Sequence, residues 1–136
     1  MPVVFTAPYI HIHIHIDPRT AVLETEWLDF ANSQQLREAL EKSLELGREH
    51  QVKGWVGNNR KMRTIRPTDQ DWINDVWFPA FSQLGVKRLA VVISEDALNQ
   101  MGIANIVTRA SAHTPHDTQY FADVDAARRW AGFLQD

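Results

Sequence analysis

Three histidines alternate with four isoleucines in the stretch Ile10-His11-Ile12-His13-Ile14-His15-Ile16. Imidazoles bind transition-metal ions and titrate near neutrality, so this spacing raises both chemistries. On a strand, residues two apart share a face, which puts His11, His13 and His15 on one side and the isoleucines on the other. Distance then limits what the comb can do. Alternate residues lie roughly 6.6 Å apart and the end histidines roughly 13 Å. Nitrogens on one zinc, each about 2.1 Å from it, lie at most about 4.2 Å apart. One ion cannot take all three. Two adjacent histidines with a carboxylate can, and Glu24 and Glu26 follow in the next strand. The reading favoured here is a polar sheet face with modest cross-strand His–Glu pairs, tolerant of threonine at all three histidines. A metal set drawn from His11, His13, His15, Glu24 and Glu26 comes second, and a pH sensor third. No cofactor is expected.

A second candidate is the loop Asn58-Asn59-Arg60-Lys61-Met62-Arg63-Thr64-Ile65-Arg66, with four basic residues. It leaves the carboxyl end of a strand and enters a helix, a place where α/β sheets bind ligands and helix N-termini favour anions. Asn59, Arg60, Lys61, Arg63, Arg66 and Thr68 are the candidate contacts for a partner protein or a small anionic ligand. The competing reading is that Asp69, Asp71 and Asp75 neutralise these cations. Trp55, Trp72, Trp77, Phe78 and Phe81 raise an apolar-ligand or lipid site, although aromatics at helical spacing more often form core.

For catalysis there is little. No Gly-rich phosphate loop, G-x-S-x-G or H-E-x-x-H occurs. The pairs Asp69/Asp71 and Asp123/Asp125 sit at helix starts, where negative charge complements the dipole. His50, His113 and His116 read as surface residues. No enzyme is expected.

Composition sets the frame for these candidates. The chain has 136 residues, 44% hydrophobic and 23% charged, enough for one domain spanning 1–136 with its core about 9–134. A net charge of −3 argues against nucleic-acid binding. The absence of cysteine removes disulfides and thiolate chemistry. Apolar runs fall short of the roughly 20 residues that span a bilayer, and the first residues do not read as a signal peptide. A cytoplasmic protein is the expectation.

The elements that must position the candidates follow from periodicity. Residues 9–16 form a strand, Asp17-Pro18-Arg19-Thr20 a turn, and Ala21 to Phe30 the returning strand. Placing Asp17 opposite Thr20 pairs His13 with Glu24, His11 with Glu26, Ile14 with Leu23, Ile12 with Thr25 and Ile10 with Trp27. Ser33 opens a helix with Leu36, Leu40 and Leu44 inward. Val52 to Gly57 is a strand. The basic loop leads to a helix capped by Thr68, bent at Pro79 and ended by Gly85. Arg88 to Ile93 is a strand covered on both faces. Ser94 to Asp96 cap a helix with Leu98, Met101, Ile106 and Val107 inward. Thr118 to Phe121 is the last strand, and Asp123 caps a final helix through Val124, Ala127, Trp130, Ala131 and Leu134. The order ββαβαβαβα implies an α/β fold with a mixed, mostly parallel sheet and an N-terminal antiparallel hairpin. One connected core is expected to hold Val91, Val92, Trp72 and Trp130 with the isoleucines.

This order resembles the STAS-like (SpoIIAA-like) family, relatives of bacterial anti-sigma-factor antagonists. The residues that carry the resemblance are Asp71-Trp72 with Trp77-Phe78-Pro79-Ala80, Lys87 to Val92 running into Asn99-Gln100-Met101, and Tyr120 to Val124 followed by Ala126 to Trp130. They cover the chain from about Ile10 to Leu134 and are mainly packing positions. The resemblance implies a non-enzymatic regulatory or binding module acting through protein contacts, and a homodimer is compatible with it. Antagonist members carry a phosphorylated serine in an Asp-Ser-Ser-Gly type motif at the second helix. The matching Ile65-Arg66-Pro67-Thr68-Asp69-Gln70 lacks that motif, and Thr68 is the sole hydroxyl there.

Overall fold

The computed structural model describes residues 3–16, 20–111 and 116–132. Six strands, β1 (Val3–Ala7), β2 (Ile10–Ile16), β3 (Ala21–Trp27), β4 (Gly54–Asn58), β5 (Arg88–Val92) and β6 (Asp117–Phe121), form one sheet in sequential order. β1, β2 and β3 pair antiparallel, and β3 through β6 pair parallel. The expected mixed α/β sheet is present with one strand more than the sequence suggested. β1 lies between prolines on the sheet edge and buries little, so its periodicity is weak. The β2–β3 register is the expected one at every pair named above. Residues 17–19 of the turn, His113 and Leu134 lie outside the described residues.

Three connections cross one face of the sheet. α1 (Ser33–Glu49) begins at Ser33 as expected and is capped by the preceding Asn32, in a capping box where Asn32 and Gln35 each accept the other's backbone N–H. The second connection is a helical rod made of α2 (Pro67–Trp72), a π-helical turn (Ile73–Trp77) and α3 (Phe78–Phe81). Pro79 has no N–H to donate into this rod, and the turn before it widens so that the Phe78 N–H reaches Ile73 O. The rod begins at Pro67 with Arg66 as its cap residue and no side-chain cap bond, so Thr68 is an exposed first-turn residue and not the N-cap. Gly85 closes the segment at φ +78°, a backbone state that favours glycine. The third connection is α4 (Ala97–Ser111), which buries Asn99, Gly102, Ile106 and Ala110. Leu98 and Met101, expected inward, point out, and Asn99 and Gly102 take the buried row of the first turns, while Ile106 is buried as expected.

The inner faces of α1, the rod and α4 meet Ile10, Ile12 and Ile14 of β2 and Leu23, Trp27, Trp55, Leu89 and Val91 of the neighbouring strands in one cluster, while Ile16 at the end of β2 is exposed. Trp77 stacks on Phe81 and donates its indole N–H to Leu40 O at 3.0 Å. α5 (Val124–Gly132) returns alone across the opposite face. There Ala127 and Ala131 meet Val22, Val56, Ala90 and Val92, and Trp130 packs beside them. The single core expected from sequence is thus two, since adjacent Val91 and Val92 necessarily point to opposite faces. Gly54 permits the close approach of α5: a Cβ there would collide with the carbonyl of Ala131.

Candidate functional site

α5 is short and covers the parallel strands, leaving β2 and the near end of β3 as a polar shelf on that face. The Cα register sets His13 opposite Glu24 and His11 opposite Glu26. The side chains slant by one step along the strand. His13 Nε2 lies 2.8 Å from Glu26 Oε1, and His15 Nε2 lies 2.9 Å from Glu24 Oε1. The five polar residues therefore divide into two groups that the pattern alone does not separate.

Glu24 belongs to the first group and is fully buried. Arg128 of α5 grips both its oxygens, Nε to Oε1 at 2.6 Å and Nη2 to Oε2 at 3.0 Å. Asn58 donates to it as well, at 3.2 Å. Burial pushes this carboxyl up, but the hydrogen bonds from His15 and Arg128, the Arg128 charge and the Asn58 amide outweigh it and hold the pKa down at about 2. These are not the modest surface pairs anticipated: the His13 and His15 side chains are only 12% and 14% exposed. Arg128 stands 104 residues from Glu24 and was not singled out. Its one sequence signal is that an acid on a covered strand requires a cation from the covering helix.

His11, His13 and Glu26 form the second group. Glu26 Oε1 is hydrogen-bonded to His13 Nε2 at 2.8 Å, and His11 Nδ1 stands 3.8 Å from the same oxygen with its ring 39% exposed.

The basic loop leaves the carboxyl end of β4 directly after Asn58. Its backbone is tied down: Ser94 donates its hydroxyl to Met62 O, Asn99 its amide to Arg63 O, Gln70 its amide to Ile65 O, and the Glu95 N–H goes to Arg60 O. Met62, Ile65 and Asn59 are buried as anchors, while Arg60, Lys61, Arg63, Arg66 and Thr68 are exposed. The following acids do not neutralise them. Asp69 is buried against Ser33 and Arg37, and Asp71 pairs with Arg109. Arg60 has a loose contact to Glu95 at 3.7 Å, and Arg66 lies over the Phe30 ring. Lys61 and Arg63 make no ion pair among the described residues. Beside the loop, a mainly apolar cleft of about 200 Å³ opens between β5, β6 and α4, where Val91, Ile93 and Ile103 join Asn59, Ser94 and Asn99 in the lining.

The aromatic residues form core. The apolar space among Trp27, Trp55, Trp77 and Phe78 is about 80 Å³, far below the roughly 300–1,000 Å³ of ligand pockets. His116, expected at the surface, is half-buried, stacked on Phe78 and edge-on to Phe81, and burial pushes its pKa down.

No protein-family profile and no curated protein matches the sequence. Among solved structures, the chain is similar to an uncharacterized DUF3478-family protein with a SpoIIAA-like fold from Shewanella loihica PV-4. The match has a TM-score of 0.57 and 16% identity, over 96% of this chain and 99% of that one. The chain has a SpoIIAA-like fold. At that identity the likeness speaks for architecture alone, so function rests on the side chains this SpoIIAA-like fold displays. Among its described residues no helix is long and apolar enough to cross a membrane.

Proposed function

We propose that this SpoIIAA-like domain is a non-enzymatic cytoplasmic binding module whose contact surface is the carboxyl edge of its sheet. The observation that carries the reading is an exposed apolar strip set beside the basic loop, where Lys61 and Arg63 are exposed and make no ion pair among the described residues. Leu98 and Met101, 62% and 64% exposed, stand on the first turns of α4. The basic loop is bonded to that same helix start through Asn99 and Glu95. Ile93 and Tyr120 add exposed apolar surface at the ends of β5 and β6. An apolar centre with a cationic rim fits a protein partner that presents apolar residues ringed by carboxylates. The same cations would serve a small anionic ligand.

The carboxylate pairs support a non-catalytic reading, because each has a structural partner. Asp69 ties the rod to α1, Asp71 pairs with Arg109, Asp123 caps α5, and Asp125 pairs with Arg128.

The reading is tested by placing a photo-cross-linking residue at Leu98 or Met101 in the full chain within its own cells, with Glu45 on the outer face of α1 as the control position. Discrete adducts from 98 and 101 that Arg63→Glu removes are expected. Adducts equally abundant from 45, or indifferent to Arg63→Glu, would refute it.

A further inference from the structure

We propose that His11, His13 and Glu26 form a binding site for a borderline divalent cation such as Zn²⁺, independent of the partner surface at the carboxyl edge. Three donor atoms, one from each residue, lie within 4.8 Å of one another. Glu26 Oε1 is the shared point, 2.8 Å from His13 Nε2 and 3.8 Å from His11 Nδ1. Ligands at about 2.1 Å around a tetrahedral zinc are about 3.4 Å apart. Side-chain rotations of a few tenths of an ångström therefore convert the hydrogen-bonded cluster into a chelate: the His13–Glu26 contact opens slightly and His11 moves in. The two rings are edge-on, 6.1 Å between centroids, and this lets both aim at one point although they share a strand face.

The rest of the shelf selects these three. Glu24 is unavailable, because Arg128, Asn58 and His15 occupy its oxygens. His15 is held with it, which removes the third tooth of the comb. Glu26 has no arginine or lysine within ion-pair distance among the described residues. Two imidazoles and one carboxylate, with no thiolate, suit zinc, nickel or copper over magnesium or calcium. The exposed side of His11 leaves a fourth position for water.

The surroundings also set the strength. With a cation on Nε2, the His13 proton resides on Nδ1, and that atom is buried with no acceptor among the described residues. Metal-bound histidines elsewhere donate this proton to a neighbour, and losing that support costs about 10–100-fold in affinity. The site is thus an exchangeable, micromolar one, and the fold does not depend on its occupancy.

The test titrates Zn²⁺ into untagged full-length protein prepared without a metal column, following heat release and the rise in melting temperature. One Zn²⁺ per chain is expected, with affinity falling about tenfold or more in His11→Gln, His13→Gln and Glu26→Gln. His15→Gln should retain nearly wild-type affinity. His11→Gln carries the most weight, since this exposed ring can be changed with least disturbance, and melting without metal reports whether each variant is folded. The proposal is overturned by an absence of saturable binding. It is equally overturned if folded His11→Gln binds like wild type, or if His15→Gln loses as much as the others.

Discussion

The α5 face and the carboxyl edge both carry clustered charge, yet they treat it in opposite ways. On the α5 face every charge around Glu24 is answered from within the chain: a buried carboxylate, a two-pronged guanidinium, an amide and an imidazole. At the carboxyl edge the chain answers the backbone and leaves the side chains. Four hydrogen bonds fix the loop from Arg60 to Ile65 while Lys61 and Arg63 are left without ion pairs among the described residues. Charges committed to internal partners hold the fold, and charges on a rigid but unanswered loop are free to meet another molecule.

The contrast predicts a descending series of stability effects. The largest is at Arg128. Arg128→Met leaves Glu24 ionised and buried without its main partner, which should cost about 3 kcal/mol in urea unfolding at neutral pH. A loss below 1 kcal/mol would erase the distinction between the two regions. Acid sharpens it. Because the folded pKa of Glu24 is about 2 against an ordinary 4.5, its contribution is fully present above the ordinary value and disappears as pH falls from about 4.5 towards 2. The gap between wild type and Arg128→Met should therefore narrow over that window, as protonation relieves the unpaired carboxylate. A gap that widens there would contradict the assignment.

Within the histidine comb the effects should be graded. His15→Thr removes a hydrogen bond to a buried carboxylate and should cost about 1–2 kcal/mol, whereas His11→Thr should cost under about 0.5 kcal/mol. Equal melting temperatures for the two variants would show that the comb is one uniform surface. The triple threonine replacement is accordingly expected to lower stability, with the loss traced to position 15.

Sequence pattern alone went far in β2 and β3. Strict alternation over seven residues determines both faces, and the turn length determines the register, so every cross-strand pair was legible. It failed where the deciding partner is remote. Arg128 reaches Glu24 only because α5 returns over the second face, and no local period encodes that. The two-core division was missed for the same reason, since a continuous apolar run such as Arg88 to Val92 says that a strand is covered twice but not by what. At α4 the error was confined to the first turns, where the buried row runs through Asn99 and Gly102. Leu98 and Met101 looked inward by hydrophobicity, and their exposure is the feature that now marks the proposed contact surface. For the loop, the four cations were plain in the sequence, but whether nearby acids cancel them depended on where Asp69 and Asp71 find Arg37 and Arg109.

The smallest expected stability effect provides the most direct test of the functional account. The double charge reversal Arg60→Glu/Arg63→Glu should be measured side by side for melting temperature and for cross-linking yield from position 98. The account predicts a melting temperature within a degree or two of wild type, a change of under about 0.5 kcal/mol, together with loss of the adduct. An unchanged adduct, or a fall in stability comparable to that of Arg128→Met, would contradict it.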